Sequence, residues 1–192
     1  YLLFDDLIFV EKAAKEHQEL YDILHYFTDG NCYEFIDLLK IVISEQQIKV
    51  RLIDECIELE KLLYNNKIDK TSLIKLNSSD LIQTLLSGYN NDDKIFTHPI
   101  PNLIFTRDIA VCIGKTILIT WSKKNVRKRE NILAKYVFSY YRSFKNLNVY
   151  DFHSNHEGLT IEGGDIIIFN DKTICIGISE RTPLDSITVS NL

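Results

Sequence analysis

Two stretches of the sequence repeat one pattern at the same spacing, and this repeat restricts the fold more than any other feature. Asp108 is followed by a run of β-forming residues, a turn signal at 114–115 and a second run. Asp165 is followed by a similar run, a turn signal at 170–171 and another run. Short apolar runs around such turn signals are typical of β-hairpins. We therefore predict two copies of one supersecondary unit, each opening on an aspartate. Chance similarity between two hairpins is the alternative.

The sequence before residue 99 has a different pattern, with apolar residues at helical spacing. It predicts helices over 5–26, 35–43, 50–64 and 79–86. Ser44, with Gln47 three residues later, predicts a capping box at the third helix. After residue 99 we predict, besides the hairpins, a helix over 122–141 and a strand over 148–152. The predicted organisation is a mainly helical segment, 1–98, and an α/β segment, 99–192.

Composition narrows the class of protein. The chain has 192 residues, 45% of them hydrophobic, and a net charge of -5, as expected of a globular protein with a sizeable core. The negative charge argues against nucleic acid and anionic membranes as partners. No apolar run approaches the ~20 residues that cross a bilayer. The cysteines are widely spaced, which favours reduced thiols and a cytoplasmic location. Cys112 and Cys175 fall inside strand patterns, where we expect buried, inert thiols.

Acidic residues at the hairpin entrances are the first candidates for chemistry. Asp108 lies at the first entrance, and Glu162 and Asp165 lie at the second, separated by two glycines. Glycine allows close backbone approach, so these carboxylates can converge on one cleft. Carboxylates bind a guanidinium group through paired hydrogen bonds. The alternative is that the aspartates only cap turns.

Two arginines and two histidines are further candidates. Arg127 follows the first hairpin and Arg181 follows the second, and either can bind a carboxylate. The alternatives are a solvated basic face for Arg127 and a local salt bridge for Arg181. His153 and His156 are three residues apart, but they lie in a polar loop without a second ligand pair, so we expect no metal and no cofactor.

Several motifs together resemble the arginine deiminase family. Residues 102–108 (NLIFTRD) are similar to the family's N-x-x-F-T-R-D signature, and residues 162–165 (EGGD) are similar to its E-G-G-D. Residues 177–182 (GISERT) resemble its G-x-S-E-R-T. Residues 2–6 (LLFDD), with Glu16 and His17 further on, resemble its opening L-F-D-D and E-H. The motifs occur in the family's order and cover nearly the whole chain.

The resemblance implies a fold, an activity and a partner. The implied fold is a partial α/β propeller of ββαβ repeats with an inserted helical bundle. The implied activity is metal-independent hydrolysis of L-arginine to L-citrulline and ammonia, in which a cysteine thiolate attacks the guanidinium carbon and a general acid/base assists. The expected partner is therefore a small molecule, L-arginine, and a homo-oligomer is compatible with the sequence.

The resemblance also implies a role for each motif residue. Asp108 would hold the guanidinium nitrogens, and Glu162 would support the catalytic histidine and orient the substrate. Asn102, Arg127 and Arg181 would hold the α-carboxylate end of arginine. Phe105 would pack on its aliphatic part.

One departure from the family pattern concerns the attacking groups. The catalytic histidine and the nucleophilic cysteine are expected downstream of the S-E-R-T segment, beyond Leu192. We therefore expect a longer natural protein, and we expect the 192-residue chain alone to be inactive. An amidinotransferase or another guanidine hydrolase of the same fold, and a non-catalytic arginine-binding relative, are the alternatives.

Overall fold

Helices precede a mixed set of strands and helices along the chain. The computed structural model describes residues 8–170 and 172–189. The helical part contains α1 (Val10–Phe27), α2 (Phe35–Val42), α3 (Gln46–Tyr64), α4 (Lys70–Lys75) and α5 (Ser78–Ser87). It is followed by β1 (Tyr89–Asn90), β2 (Asp93–Lys94), α6 (Thr106–Ile109), β3 (Ala110–Ile113), β4 (Thr116–Ile119), α7 (Lys128–Tyr140), β5 (Asn148–Asp151), α8 (Phe152–Asn155), β6 (Ile166–Asn170), β7 (Thr173–Ile176) and α9 (Leu184–Val189). A 3-10 turn over Asn125–Arg127 leads into α7, and another over Gly163–Asp165 leads into β6.

The helices before residue 99 form where the spacing of apolar residues predicts them, but their ends differ. The predicted helix over 5–26 begins only at Val10, since Ile8 and Phe9 are not helical, and residues 5–7 lie outside the described part. The predicted capping box is wrong: α3 begins at Gln46, and the Ser44 hydroxyl donates instead to the Ile41 carbonyl at the end of α2. Helix α4 was not predicted. The Asp69 carboxylate caps it by accepting from the first backbone amides.

The first hairpin belongs to a three-stranded sheet. Strands β3 and β4 pair antiparallel, and β5 pairs parallel to β4 after the chain crosses over through α7. A parallel neighbour requires such a crossover, because a tight turn cannot join two parallel strands. The order of elements is therefore ββαβ, and the prediction of a mixed α/β structure is confirmed.

The second hairpin repeats the strand order of the first but not its register. In the first hairpin Ala110 pairs with Ile119 and the pairing runs regularly to the turn. In the second, Ile166 pairs with Ile176, and a bulge between Ile168 and Asn170 shifts the register. The extra residue lets β6 twist away from the geometry of its counterpart. Residue 171, in the predicted turn, lies outside the described residues.

One hydrophobic core joins the helical segment to the sheet. Helices α2 and α3 pack against α7, and the buried residues of α3 recur at helical spacing, as Leu52 and Cys56 show. Within this core, backbone hydrogen bonds in both directions join Trp121 to Ile161 at 3.0 Å. This bridge links the end of the first hairpin to the approach of the second, so residues 122–123 lie beside Glu162.

The expectation for two cysteines is wrong. Cys112 and Cys175 are exposed rather than buried. Successive side chains of a strand point to opposite faces, and in β3 the buried face carries Val111, so Cys112 points away from the core. In the described part of the chain, no helix combines the length and the apolar character needed to cross a membrane.

Candidate functional site

Two glycines bring the FTRD and EGGD segments into contact. A Cβ atom added to Gly163 would lie 2.0 Å from the Arg107 carbonyl oxygen, and one added to Gly164 would lie 2.8 Å from Asp108 Oδ1. A side chain at 163 cannot be accommodated without moving backbone. The Arg107 guanidinium also donates to the Ile166 carbonyl at 2.5 Å. The entrances of the two hairpins therefore lie against each other, although they are more than fifty residues apart in the sequence.

Arg127 lies at the centre of the resulting cluster. Its side chain is buried, and its Nη1 donates to Asp108 Oδ2 at 2.9 Å and lies 3.8 Å from Glu162 Oε2. Its Nε donates to Glu130 Oε2 at 3.0 Å. Burial alone would lower the pKa of Arg127, but Glu130 and Asp108 outweigh that effect and raise it. The alternative of a solvated basic face for Arg127 is wrong, because the side chain is buried. The surrounding carboxylates offset the cost of burying its charge.

Glu162 connects this cluster to Arg181. The buried Glu162 carboxylate accepts from the backbone amide of Lys123 at 3.2 Å and lies 3.4 Å from Arg181 Nη1. The Glu162 amide donates to Thr182 Oγ1 at 3.0 Å. The side chain of Arg181 is 43% exposed, so its other donors are open to solvent. The local salt bridge expected for Arg181 exists, and it is part of the larger cluster.

The GISERT segment forms a compact turn around Ser179. Its hydroxyl accepts from the amides of Arg181 and Thr182, each at 3.0 Å, and donates to Asp165 Oδ2 at 2.8 Å. The Asp165 carbonyl also accepts from the Gly177 amide. Asp165 therefore supports the turn that carries Arg181, whereas Asp108 at the equivalent position of the first hairpin contacts Arg127 directly.

Asn102 and Phe105 lie on the segment just before the first hairpin. Asn102 is buried, and its backbone amide donates to Glu130 Oε1 at 2.9 Å. The Phe105 amide donates to the Asn102 carbonyl, and the ring is 50% exposed. Among the described residues, Asn102 Oδ1 and Arg127 Nη2 are buried without a hydrogen-bond partner. Buried polar atoms in folded proteins nearly always have partners, so these two are candidates for contact with a ligand.

The cluster has more negative than positive groups. Three carboxylates, those of Asp108, Glu130 and Glu162, surround the guanidinium groups of Arg127 and Arg181. One uncompensated negative charge favours a ligand that carries a net positive charge. Glu130 is not among the site residues predicted from the sequence. Its position three residues after Arg127 at a helix start was the available signal, since side chains at that spacing meet.

The two histidines of the 152–156 segment take separate partners. The His153 ring stacks on Trp121 with centroids 3.8 Å apart, while His156 Nε2 lies 2.6 Å from the Tyr150 hydroxyl. Burial lowers the pKa of His153. Within residues 8–170 and 172–189, no three His, Cys, Asp or Glu side chains are grouped as a metal site requires.

Comparisons with known proteins agree with the motifs. A family model described as arginine deiminase matches residues 1–191. An arginine deiminase of Metamycoplasma arthritidis is 29% identical over 98% of this chain and 48% of its own length. One of Borrelia duttonii is 30% identical over 97% of this chain and 50% of its own length. The chain thus spans about half the length of the curated relatives it matches. A solved dimethylarginine dimethylaminohydrolase, in an adduct with S-methyl-L-thiocitrulline, shares 22% identity with this chain. The match covers 64% of this chain and 45% of that chain, with a TM-score of 0.36.

Proposed function

Because the chain belongs to the arginine deiminase family, we propose that the protein hydrolyses L-arginine to L-citrulline and ammonia. The observation that carries this proposal is the continuous cluster from Asp108 through Arg127 and Glu162 to Arg181, in which opposite charges lie 2.9 to 3.8 Å apart. Such a cluster offers carboxylates to a guanidinium group and guanidinium groups to a carboxylate. Free arginine carries both groups, with a net charge that complements the cluster.

Asp108 is the proposed ligand of the substrate guanidinium. Its side chain is 23% exposed, so a ligand can reach it, and Arg127 occupies one of its two oxygens. That contact supports the role, since the carboxylate already accepts from one planar guanidinium. Glu162 is buried and supplies a second carboxylate within the same cluster.

The proposed ligands of the α-carboxylate end are Asn102, Arg127 and Arg181. Arg127 Nη2 is buried without a partner, and Arg181 is half-exposed. A substrate carboxylate that accepts from both would satisfy donors that the protein leaves open. The half-exposed ring of Phe105 is available to pack on the methylene chain between the two charged ends.

The proposed chemistry needs a nucleophile that Cys56 cannot supply. Burial raises the pKa of the Cys56 thiol to about 12, so it stays protonated. We propose a thiolate and a histidine downstream of Leu192. The thiolate would add to the guanidinium carbon, the histidine would donate a proton to one nitrogen, and the C–N bond to that nitrogen would break to release ammonia. Water would then add to the carbon and give up a proton to the histidine. The C–S bond would break as the new hydroxyl loses its proton to solvent, which releases citrulline and restores the thiolate. Glu162 would orient the histidine.

The proposed architecture places this site on repeated units. The 99–192 segment would form ββαβ repeats of a partial propeller, and the 1–98 segment would carry the inserted helices. The β3-β4-α7-β5 order supports the first part, and the α2 and α3 contacts with α7 support an attached helical segment.

The test compares two aspartates at equivalent positions of the two hairpins. In the complete natural protein, Asp108→Asn should lower kcat/KM for arginine by about 10²- to 10³-fold, because it removes a charge opposite the substrate cation. Asp165→Asn keeps an oxygen to accept from Ser179 and should have little effect. Citrulline formation is the measurement, and ornithine formation is followed with and without an amine acceptor. Equal rates of citrulline formation in Asp108→Asn and the unchanged protein would contradict the assignment. Ornithine formed from arginine only when the acceptor is present would indicate an amidinotransferase.

A further inference from the structure

Glu130 lies in the first turn of α7 and is fully buried. Each of its carboxylate oxygens has a different partner. Oε2 accepts from the side-chain Nε of Arg127 at 3.0 Å, and Oε1 accepts from the backbone amide of Asn102 at 2.9 Å. One buried side chain therefore ties together two residues that come from different parts of the chain and that both have an unpartnered buried polar atom.

Both partners depend on this contact for their position. The segment 99–105 has no helix or strand of its own, so the hydrogen bond from the Asn102 amide anchors it to α7. Arg127 is held at Nε by Glu130 and at Nη1 by Asp108, which fixes the plane of the guanidinium and the direction of Nη2. A planar group held at two points has little rotational freedom.

We propose that Glu130 is the positioning residue that fixes Asn102 and Arg127 for the carboxylate end of the substrate, an inference that rests on the proposed function. Glu130 does not touch the substrate. It sets the geometry of two groups that do, and such supporting contacts determine how well a site is preorganised.

The chemistry of the contact explains why a carboxylate is needed. Both partners of Glu130 are donors, and an ionised carboxylate accepts through both oxygens. Glutamine has the same shape, but one oxygen is replaced by an NH₂ group. In Glu130→Gln, a donor would face either Arg127 Nε or the Asn102 amide, so only one of the two hydrogen bonds can persist.

The experiment compares L-arginine, a guanidine with an α-carboxylate, with agmatine, a guanidine without one. In the complete natural protein, Glu130→Gln should raise KM for L-arginine roughly tenfold, the factor expected for losing a charge-assisted hydrogen bond, while kcat changes far less. The affinity for agmatine, which is decarboxylated arginine, should stay unchanged, measured as KM or as Ki against arginine. The preference for arginine over agmatine should therefore fall by the same factor.

Glu60→Gln is the matched control. Glu60 is also buried and also forms an ion pair with an arginine of α7, since Arg129 Nη1 lies 3.0 Å from its Oε1. It faces the helical segment rather than the cluster, so its substitution should change thermal stability and leave the preference between the two guanidines unchanged. If both variants change the preference equally, or if Glu130→Gln weakens the binding of arginine and of agmatine by the same factor, the proposal is wrong.

A second measurement needs no substrate. Hydrogen exchange at the Asn102 amide should be faster in Glu130→Gln than in Glu60→Gln, because its acceptor is lost or reoriented. If Glu130→Gln does not fold, Glu130→Asp keeps the charge, shortens the reach and should give the same direction of change in both measurements. Unchanged exchange at Asn102 together with an unchanged preference for arginine over agmatine would overturn the positioning role. A protein that neither binds nor converts arginine, yet shows the exchange effect, would contradict the proposed function and leave the anchoring contact established.

Discussion

Arg127 and Arg129 lie two residues apart at the start of α7, yet their side chains have different surroundings. Arg129 donates to Glu60 Oε1 and to the carbonyls of Leu85 and His98, and its guanidinium lies over the Phe96 ring. Each of its nitrogens has an acceptor. Arg127, on the opposite side, has three carboxylates around it and one buried nitrogen without a partner.

The difference is also electrostatic. Burial lowers the pKa of Arg129, because the neighbouring groups, Cys56 and Glu60 first among them, only partly offset the loss of water. The pKa of Arg127 is raised, because several carboxylates surround it. Arg129 therefore joins the helical segment to α7, whereas Arg127 belongs to a group of charges with capacity left for a ligand. Burial alone does not separate the two roles, but the unsatisfied donor does.

Removing Arg129 should have the largest effect on the free energy of unfolding. Arg129→Ala leaves the buried Glu60 carboxylate without its cation, so the loss should be about 3–5 kcal/mol in chemical denaturation. Lys124→Ala, which removes an exposed cation of the same basic run, should change stability by less than about 0.5 kcal/mol. Similar losses in the two variants would show that Arg129 is not the structural member of the pair.

Replacing each arginine by lysine should separate the two roles. Arg127→Lys keeps the charge but cannot reach Asp108 and Glu130 together, so we expect a loss of about 1–2 kcal/mol in unfolding free energy together with a higher KM for arginine. Arg129→Lys should lower stability at least as much and leave KM unchanged. The measurements are chemical denaturation and steady-state kinetics on both variants. A change in KM in both would contradict the distinction between a structural Arg129 and a substrate-binding Arg127.

The smallest predicted effect concerns pH. Burial raises the pKa of Glu130 above its ordinary value of 4.5, although Arg127 opposes the shift. An acid whose pKa is raised by folding stabilises the folded state fully below its unfolded pKa, and that contribution is lost as pH rises through the folded pKa. The stability advantage of the unchanged protein over Glu130→Gln should therefore shrink as pH rises above about 4.5. Melting temperatures of both proteins across this range test it, and a widening gap would contradict the raised pKa.

Local sequence patterns predicted most of the longer elements, and the resemblance to the family supplied the motif residues. Runs of β-forming residues around turn signals predicted both hairpins, and helical spacing predicted α2, α3 and α5. The motif residues Asp108, Arg127, Glu162 and Arg181 are brought together in one cluster, but their roles in catalysis stay predictions.

The sequence did not show which charged residues are buried. Residues 123–129 look like a solvated basic face, yet Arg127 and Arg129 are buried because carboxylates from distant segments face them. Those partners depend on tertiary packing, which no local pattern contains. The bulge in β6 was missed for the same reason. Strand alternation did contain the information that Cys112 is exposed, since the neighbouring Val111 is the residue that faces the core.

The contact at Gly163 has a consequence for how the site can vary. The distance between the two hairpin entrances is set there by the bare backbone, because a Cβ at 163 would overlap the Arg107 carbonyl oxygen. Asp108 follows Arg107 directly, so any side chain larger than hydrogen at 163 would displace the proposed guanidinium ligand from a distance, without touching it. A hydrogen atom thus sets the distance between the two entrances, and a substitution that keeps every charged group can still misplace those groups.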